Sequence, residues 1–242
     1  MRKLKAGFTE DNHASVISLG FDDELRAVLQ RSSQGLLDEA TAAELSQCFE
    51  ILEFQLGNEL STDTLLQPAP QRSVHSEHNP DNLAKNLYII GEGRVRLLGF
   101  DSAKGREVSV GVLQGGDTFG ADAGWGNESL PYQVVAGSSG WMARIDWEQL
   151  QPWLERCPQL AAQWRQQAQH RQCLSFMKTL TKLRSQSSLI LQQLLIYIEE
   201  TQIRAGESLA DFAATQPGYF WLRGVDTPPV ENTGDSSFIQ SP

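Results

Sequence analysis

The chain has 242 residues, 40% of them hydrophobic and 21% charged, and its formal net charge is −10 at pH 7. This size and composition predict a globular protein with one substantial domain and a smaller piece, or with two domains. The acidic balance disfavours bulk binding to nucleic acids or to anionic membranes. Three widely spaced cysteines without a CxxC motif predict reduced thiols in a cytoplasmic protein, and no apolar run predicts direct membrane insertion.

The first part of the chain is predicted to be helical. Residues 1–37 form an N-terminal segment, loose as far as residue 20, with a short amphipathic helix from Phe21 that is interrupted near Gly35. A second helix is expected from Asp38 to about Glu50, with the Asp38 side chain as its N-cap.

The hydrophobic period then changes from helical spacing to alternation. Leu52, Phe54 and Leu56 alternate up to a glycine, which predicts a strand, and the Pro-, Asn- and Ser-rich residues 67–83 predict a surface loop. Several further short strands are separated by glycine turns, which is typical of a jelly roll or barrel. These strands are expected at residues 87–90, 95–97, 106–113, 132–137 and 141–145; in the third of them Val108, Val110 and Val112 share one face, and Ser109 and Gly111 the other.

Helical signals return at Asp146, a predicted N-cap. A long helix is expected from Pro158 to about Arg184, and a separate one from Ser187 to Glu200. The apolar stripe of the long helix could pair with a second subunit or pack on its own β-roll, and dimerisation is the favoured interpretation. The stripe consists of Leu160, Trp164, Ala168, Leu174, Met177 and Leu180.

An internal repeat joins the two ends of the chain. The segment from Leu45 to Leu60 and the segment from Leu194 to Leu209 show the same succession of helix, strand and glycine turn, and Tyr88-Ile89-Ile90 finds an echo in Phe220-Trp221-Leu222. The predicted organisation is therefore a β-roll at 38–157, a helical linker or dimerisation region at 158–200, and a truncated start of a second roll with a disordered tail at 201–242.

Residues 38–184 resemble the cyclic nucleotide-binding domain family, the β-roll module of catabolite-activator-type regulators, cyclic-nucleotide-dependent kinases and gated channels. The resemblance is carried by LYIIGEGRV (87–95), GREVSVGVL (105–113) and GGDTFG (115–120), in the family's order. It implies an α+β fold, in which an antiparallel β-roll or jelly roll is flanked by N-terminal helices and a long C-terminal helix.

The resemblance also places a phosphate-binding cassette directly after the Phe-Gly pair. In the family, backbone N–H groups at a short helix cradle the phosphate, a glutamate after the glycine holds the ribose, and an arginine about ten residues later neutralises the phosphate. Here the glutamate position is Ala121, residues 128–132 contain no arginine, and Asp122 adds a negative charge. The degenerate cassette that we expect consists of Phe119, Gly120, Ala121, Asp122, Trp125, Leu130 and Tyr132.

Without that arginine, a cyclic phosphate loses a contact that is typically worth ~2–5 kcal/mol. We therefore expect that cyclic AMP and cyclic GMP are not bound in the usual way. An uncharged or cationic ligand remains open, as does a pocket closed by Trp125 or Tyr132.

Other functional classes find less support in the sequence. The region from Arg171 onward holds six Lys or Arg against seven Asp or Glu, without the basic face of a DNA-reading domain. His75 and His78 in a Pro-rich loop have no third clustered ligand, so no metal site is expected. No catalytic triad, paired carboxylates or phosphate loop predicts an enzyme, and no cofactor is expected.

The sequence thus predicts a cytoplasmic, non-enzymatic regulatory module that acts through protein–protein contacts, as a homodimer or on a membrane transporter. The transporter is suggested by a second resemblance, in arrangement only, to the regulatory regions ahead of some bacterial peptidase-containing ABC exporters. The alternative is a sensor that binds a cyclic nucleotide or another small molecule in an altered cassette. A weaker alternative is a DNA-binding regulator.

Overall fold

Two antiparallel sheets form a jelly roll with flanking helices in this computed structural model. The structure describes residues 11–60, 83, 85–125, 130–198, 201, 219–221 and 238–240. The helices are α1 (Asp11–Ser32), α2 (Glu39–Ser46), α3 (Trp147–Arg156), α4 (Pro158–Leu180) and α5 (Ser188–Leu194), with 3₁₀ helices η1 (Asp122–Trp125), η2 (Lys182–Ser185) and η3 (Leu195–Tyr197). The strands are β1 (Glu50–Phe54), β2 (Asn86–Glu92), β3 (Arg94–Asp101), β4 (Arg106–Gln114), β5 (Thr118–Gly120), β6 (Gln133–Ala136), β7 (Gly140–Asp146), β8 (Tyr219–Trp221) and β9 (Phe238–Gln240).

Two antiparallel sheets make the roll. The first has the strand order β1-β7-β2-β5 and the second β4-β3-β6, and a separate pair joins β8 to β9. The second sheet is also tied to the chain after β1, because Gly57 N–H donates to Ala136 O at 2.9 Å and Leu60 N–H donates to Val134 O at 2.7 Å. The mixed helix and antiparallel-sheet class expected from the sequence is confirmed.

The core has two parts, one on each face of the first sheet. Alternate residues of β2 divide between them, since Leu87 and Ile89 face the helices while Tyr88 and Ile90 face the second sheet. The helix side buries residues of α1, α2, α3 and the first half of α4. The inner side is completed by Leu174 and other residues from the second half of α4 and from α5. The long helix therefore contributes to both parts of the core.

The helix caps confirm the predicted starts, and the first helix corrects one bound. Asp38 accepts from Thr41 N–H at 2.7 Å, and Asp146 accepts from Glu148 N–H at 2.8 Å. Helix α1 begins at Asp11, so residues 11–20 are not loose as expected; the helical hydrogen bonds continue through Gly20, although glycine in a helix costs about 1 kcal/mol. The interruption near Gly35 is confirmed, with φ at +78°.

Two strand predictions were wrong in detail. The pairing of β4 with β3 skips Val110, which is therefore bulged, and the bulge turns Val112 away from the core to 52% exposure. Val110 and Val112 therefore do not share a face. Leu56 lies past the end of β1 and is 70% exposed, because the chain has already turned towards Gly57.

The stripe of the long helix packs within its own chain. Its residues from Leu160 to Met177 are buried, whereas Leu180 is 39% exposed. Helix α4 ends at Leu180 rather than near Arg184, since Thr181 has an extended backbone and caps η2 through its side chain. Of the two interpretations left open, packing on the β-roll is the one that accounts for this surface.

The internal repeat is reflected in local structure. The register that aligns Leu45 with Leu194 also aligns Asp38 with Ser187, and both residues are N-caps of short helices, α2 and α5. Ser187 accepts from Ile190 N–H at 3.3 Å, as Asp38 accepts from Thr41. The echo of β2 falls on β8, while the counterpart of β1 lies outside the described residues.

Candidate functional site

The Phe-Gly corner links the first sheet to a short 3₁₀ helix. Phe119 is fully buried and stacks on Tyr88, with ring centroids 4.8 Å apart. Gly120 has φ at +80°, and a Cβ there would lie 2.3 Å from Asn86 O, so only glycine fits. Ala121 follows in the same left-handed region, at φ +52°, where a side chain is disfavoured. The chain thereby reverses and presents Asp122 at the start of η1.

Asp122 is buried and paired with a cation. Its side chain is 6% exposed, and its Oδ1 accepts from Arg171 Nη2 on α4, whose side chain is 4% exposed. Its Oδ2 accepts from the hydroxyl of Tyr132. The expected negative charge beside the cassette is therefore neutralised within the chain, because a cation and a phenol occupy both carboxylate oxygens.

Arg171 and Tyr132 also bond to strand β5. Arg171 Nη1 donates to Thr118 O at 2.8 Å, and Gly120 N–H donates to Tyr132 Oη at 3.0 Å. The Thr118 hydroxyl donates to Gln167 Oε1 at 2.7 Å. The corner, η1, the segment before β6 and α4 thus meet in one hydrogen-bonded cluster. We call Thr118, Asp122, Tyr132, Gln167 and Arg171 the Asp122 cluster.

Burial governs the electrostatics of this cluster. It raises the pKa of Tyr132, and the negative charge of Asp122 raises that pKa further, so the phenol remains a donor at neutral pH. Burial, the largest single influence, would lower the pKa of Arg171, but the charge of Asp122, the hydrogen bond to it and the interactions with Tyr132 together outweigh burial, and the net direction is upward. The cluster contains a carboxylate and a guanidinium of opposite charge and has little electrostatic attraction left for an external phosphate.

Not every predicted cassette residue joins the cluster. Trp125 packs away from it against Trp147, with ring centroids 4.8 Å apart and nearly perpendicular planes. Ala121 is buried in the helix-side core and not on the inner side of the roll. Leu130 is half-buried, and its N–H donates to Gln172 Oε1 at 2.7 Å. Gly120, Asp122 and Tyr132 are thus the residues that the fold brings together.

Arg171, Gln167 and Thr118 were missed at the level of sequence. The one signal that could have found them is the position of Arg171 on the apolar stripe, three residues after Ala168 and three before Leu174. A lone arginine on a buried helical face requires a buried acid as its partner. The acid, Asp122, comes from a segment about fifty positions earlier in the chain. The pairing therefore could not be inferred from local spacing on the helix.

Three buried polar atoms of η1 and α4 have no hydrogen-bond partner within the described part of the chain: Trp125 Nε1, Arg171 Nε and Ser175 Oγ. Arg171 and Ser175 lie one helical turn apart on the same buried face of α4. An unsatisfied buried polar group typically costs about 1–3 kcal/mol, which an ordered water or a small polar ligand would relieve.

Other kinds of site receive no support from the described residues. Within them, no group of three or more His, Cys, Asp or Glu side chains could hold a metal ion, while His75 and His78 lie outside them. None of the helices that the structure describes is long and apolar enough to cross a membrane.

Comparisons with known proteins agree with the class of fold. Residues 78–157 match the family model described as Cyclic nucleotide-binding domain, and this stretch runs from the segment before β2 through α3. The region therefore has a cyclic nucleotide-binding-like jelly-roll fold, and the matched family is one of regulatory domains. Among curated proteins, no match was found.

Solved structures show the same likeness at low identity. The regulatory subunit of a cAMP-independent protein kinase A from Trypanosoma brucei is 21% identical, with a TM-score of 0.43 over 61% of this chain and 49% of that one. The Trypanosoma cruzi counterpart, bound to guanosine, is 21% identical, with a TM-score of 0.41 over 61% and 49%. The catabolite activator protein of Thermus thermophilus is 17% identical, with a TM-score of 0.42 over 56% and 55%. The match thus spans about half the length of the trypanosome chains.

Proposed function

We propose that this chain is a non-enzymatic regulatory module that does not bind cyclic nucleotides in the usual way and acts through protein–protein contacts. The observation that carries the proposal is the Asp122 cluster. Directly after the Phe-Gly pair, where the resemblance places a phosphate, the chain has its own buried carboxylate, already paired with Arg171 and Tyr132.

Two costs oppose a cyclic phosphate at this place. Residues 121–132 contain no arginine that could replace the missing counter-charge. Arg171 could serve only by leaving Asp122, which would then be a buried carboxylate without a cation beside the phosphate. Losing the arginine contact alone typically reduces affinity by roughly two to three decades.

Calorimetric titration of the full chain with cyclic AMP and cyclic GMP tests this proposal. We expect no binding tighter than about 10 μM for either nucleotide. Titration with guanosine, an uncharged nucleoside, serves as the matched comparison, since it lacks the phosphate that the Asp122 cluster should reject. Tight binding of cyclic AMP or cyclic GMP would contradict the proposal.

A ligand-responsive sensor is the second candidate, favoured by the unpaired Arg171 Nε and Ser175 Oγ. A small polar molecule that bonds both atoms would enter without displacing Asp122. In the same titration, binding of guanosine without binding of either cyclic nucleotide would support this sensor function.

For the protein–protein contact, we propose a second copy of this chain at α5 and η3. Ile196 and Tyr197 are 77% and 80% exposed, and Leu189, Ile190 and Leu194 also present apolar surface. Residues 185–198 contain no charged side chain, although the chain carries a net charge of −10. Two acidic copies repel each other least where both surfaces are neutral and apolar. A membrane transporter as partner and a cytoplasmic location stay predictions.

Light scattering after size-exclusion chromatography measures the oligomeric state. We expect the wild-type chain to be a dimer, and I196D/Y197D to be a monomer with unchanged circular dichroism. Leu56→Asp is the matched control, since Leu56 is 70% exposed in the turn after β1 and should leave the dimer intact. A monomeric wild type would contradict a second copy of this chain as the partner, and the partner at this surface would then be a different protein.

A further inference from the structure

We propose that the Asp122 carboxylate is a built-in anionic ligand that keeps α4 docked on the β-roll, and that a small external carboxylate can replace it once the side chain is removed. This inference rests on the proposed function, because it requires that no nucleotide occupies the corner. It adds a role for the Asp122–Arg171 pair, because this pair would hold α4, the helix after the roll, in place without any external molecule.

The first support is how the carboxylate is held. Each of its two oxygens has its own donor, Arg171 from α4 and Tyr132 from the segment before β6. Both donors bond to β5 as well, through Thr118 O and Gly120 N–H. The carboxylate is thus held by two donors, each of which is also bonded to β5, as a bound anion would be.

The second support is burial. Asp122 and Arg171 are 6% and 4% exposed, so water and salt screen their attraction little. Removal of one member of such a pair leaves an uncompensated buried charge. Without Asp122, the Arg171 guanidinium would be stable only in water or beside another anion, and reaching water requires that α4 move away from the corner.

The third support is the position of Arg171 in the helix. It lies near the middle of α4, between Trp164 in the helix-side core and Met177 in the inner core. After α4, Arg184 of η2 pairs with the buried Asp101 of β3 at 3.4 Å. Docking of α4 therefore depends on a contact in its middle that is ionic and on one beyond its end, with apolar packing between them.

A purely structural ion pair predicts a different response from a ligand-like one. If Asp122 only fills space, its removal leaves a cavity that no soluble anion repairs specifically. If it acts as a ligand, the site left behind in Asp122→Ala retains the Arg171 guanidinium, the Tyr132 hydroxyl and a volume the size of a carboxylate group, because alanine keeps the Cβ. Formate then fits both the space and the donors.

The test is amide hydrogen exchange of the full chain, followed across residues 160–180. We expect Asp122→Ala to accelerate exchange there by about 10²–10³-fold, the effect of breaking a buried pair. Sodium formate at about 100 mM, but not sodium chloride at equal ionic strength, should recover at least tenfold protection. Asp23→Asn is the matched control; Asp23 is 79% exposed in an ion pair on α1, and its loss should change nothing in α4.

The proposal is overturned if α4 of Asp122→Ala exchanges within threefold of the wild type, or if formate protects it no better than chloride does. Should Asp122→Ala fail to fold, Asp122→Asn keeps the shape and removes the charge. Wild-type exchange in α4 of Asp122→Asn would then overturn the proposal, and exchange accelerated at least tenfold would support it. These results are independent of the nucleotide titration. Tight nucleotide binding by the wild-type chain would contradict the proposed function, whereas the hydrogen exchange of the variants tests the docking of α4.

Discussion

Among the described residues of the β-roll, the buried Asp101 and Asp122 both pair with arginines of the C-terminal helical region, and the two pairs differ in their surroundings. Asp122 faces Arg171, which is itself buried, and a tyrosine. Asp101 is 0% exposed, but its partners Arg184 and Lys104 are 31% and 43% exposed, at 3.4 and 4.0 Å. Both members of the Asp122 pair are buried, whereas the cations that pair with Asp101 are partly exposed to solvent.

This difference shows that the burial of the acid alone does not decide what an ion pair contributes. An arginine that reaches water keeps much of its hydration when its partner is removed. An arginine enclosed by protein cannot regain contact with water. When its acid is removed, the buried guanidinium therefore bears the full cost of desolvation. We therefore expect that Asp122 specifies a docked arrangement, whereas Asp101 adds a modest attachment.

The largest expected effect comes from removing each arginine in turn. Arg171→Met should lower the free energy of unfolding by about 3–5 kcal/mol, because it leaves Asp122 buried without a cation. Arg184→Met should cost only about 1 kcal/mol, because Asp101 keeps a second cation, Lys104 at 4.0 Å, and still accepts from Ala103 N–H. Urea denaturation of both variants measures the contrast. Equal losses would remove the distinction between the two pairs, and D122L/R171M should recover most of the stability lost in Arg171→Met.

An alkaline pH titration should weaken the Asp122 pair through the titrating phenol of Tyr132, a group that the Asp101 pair lacks. Folding raises the pKa of Tyr132 above its ordinary value of about 10 through burial, the charge of Asp122 and the hydrogen bond to it, against the opposing charge of Arg171. The stabilisation is fully present below the unfolded pKa and is lost as the pH rises towards the folded one. We expect a decline of about 1.4 kcal/mol per pH unit above pH 10.

Tyr132→Phe is the control for that decline, since it removes the titrating phenol and should flatten the curve above pH 10. Thermal unfolding at fixed ionic strength between neutral pH and pH 12 gives the measurement. The same slope in both proteins would mean that another group governs the alkaline loss.

The smallest effects concern the backbone near each aspartate. Ala121, just before Asp122, has φ at +52°, and Gly105, in the turn after Asp101, has φ at +60°. Ala121→Gly should raise the free energy of unfolding, and Gly105→Ala should lower it, each by about 1 kcal/mol. A Cβ at Gly105 meets nothing within 4 Å, so its variant isolates the backbone term. Destabilisation by Ala121→Gly would show that the packing of the Ala121 methyl outweighs its strain.

Sequence reasoning predicted the strands and caps because their signals are local. Asp38 and Asp146 were identified as N-caps from the helical residues that follow them, and the Phe119-Gly120 corner from a few neighbouring positions. The bulge at Val110 was not predicted, because the sequence of β4 alternates regularly through this residue. The bulge exists only in the pairing of β4 with β3. Helix α1 was placed ten residues too late, because its first turns lack a clear apolar stripe.

The sequence alone determined that Ala121 directly follows the Phe-Gly pair and that residues 121–132 contain no arginine, since this is a matter of which residues come next in the chain. Only the tertiary structure decided that Asp122 is not a free negative charge. Its neutralisation depends on Arg171 from α4 and Tyr132 from the approach to β6, which reach one point because the long helix packs back on the roll. The strength of the interaction between two charges depends on their distance and burial in the folded protein, and local spacing along the chain specifies neither.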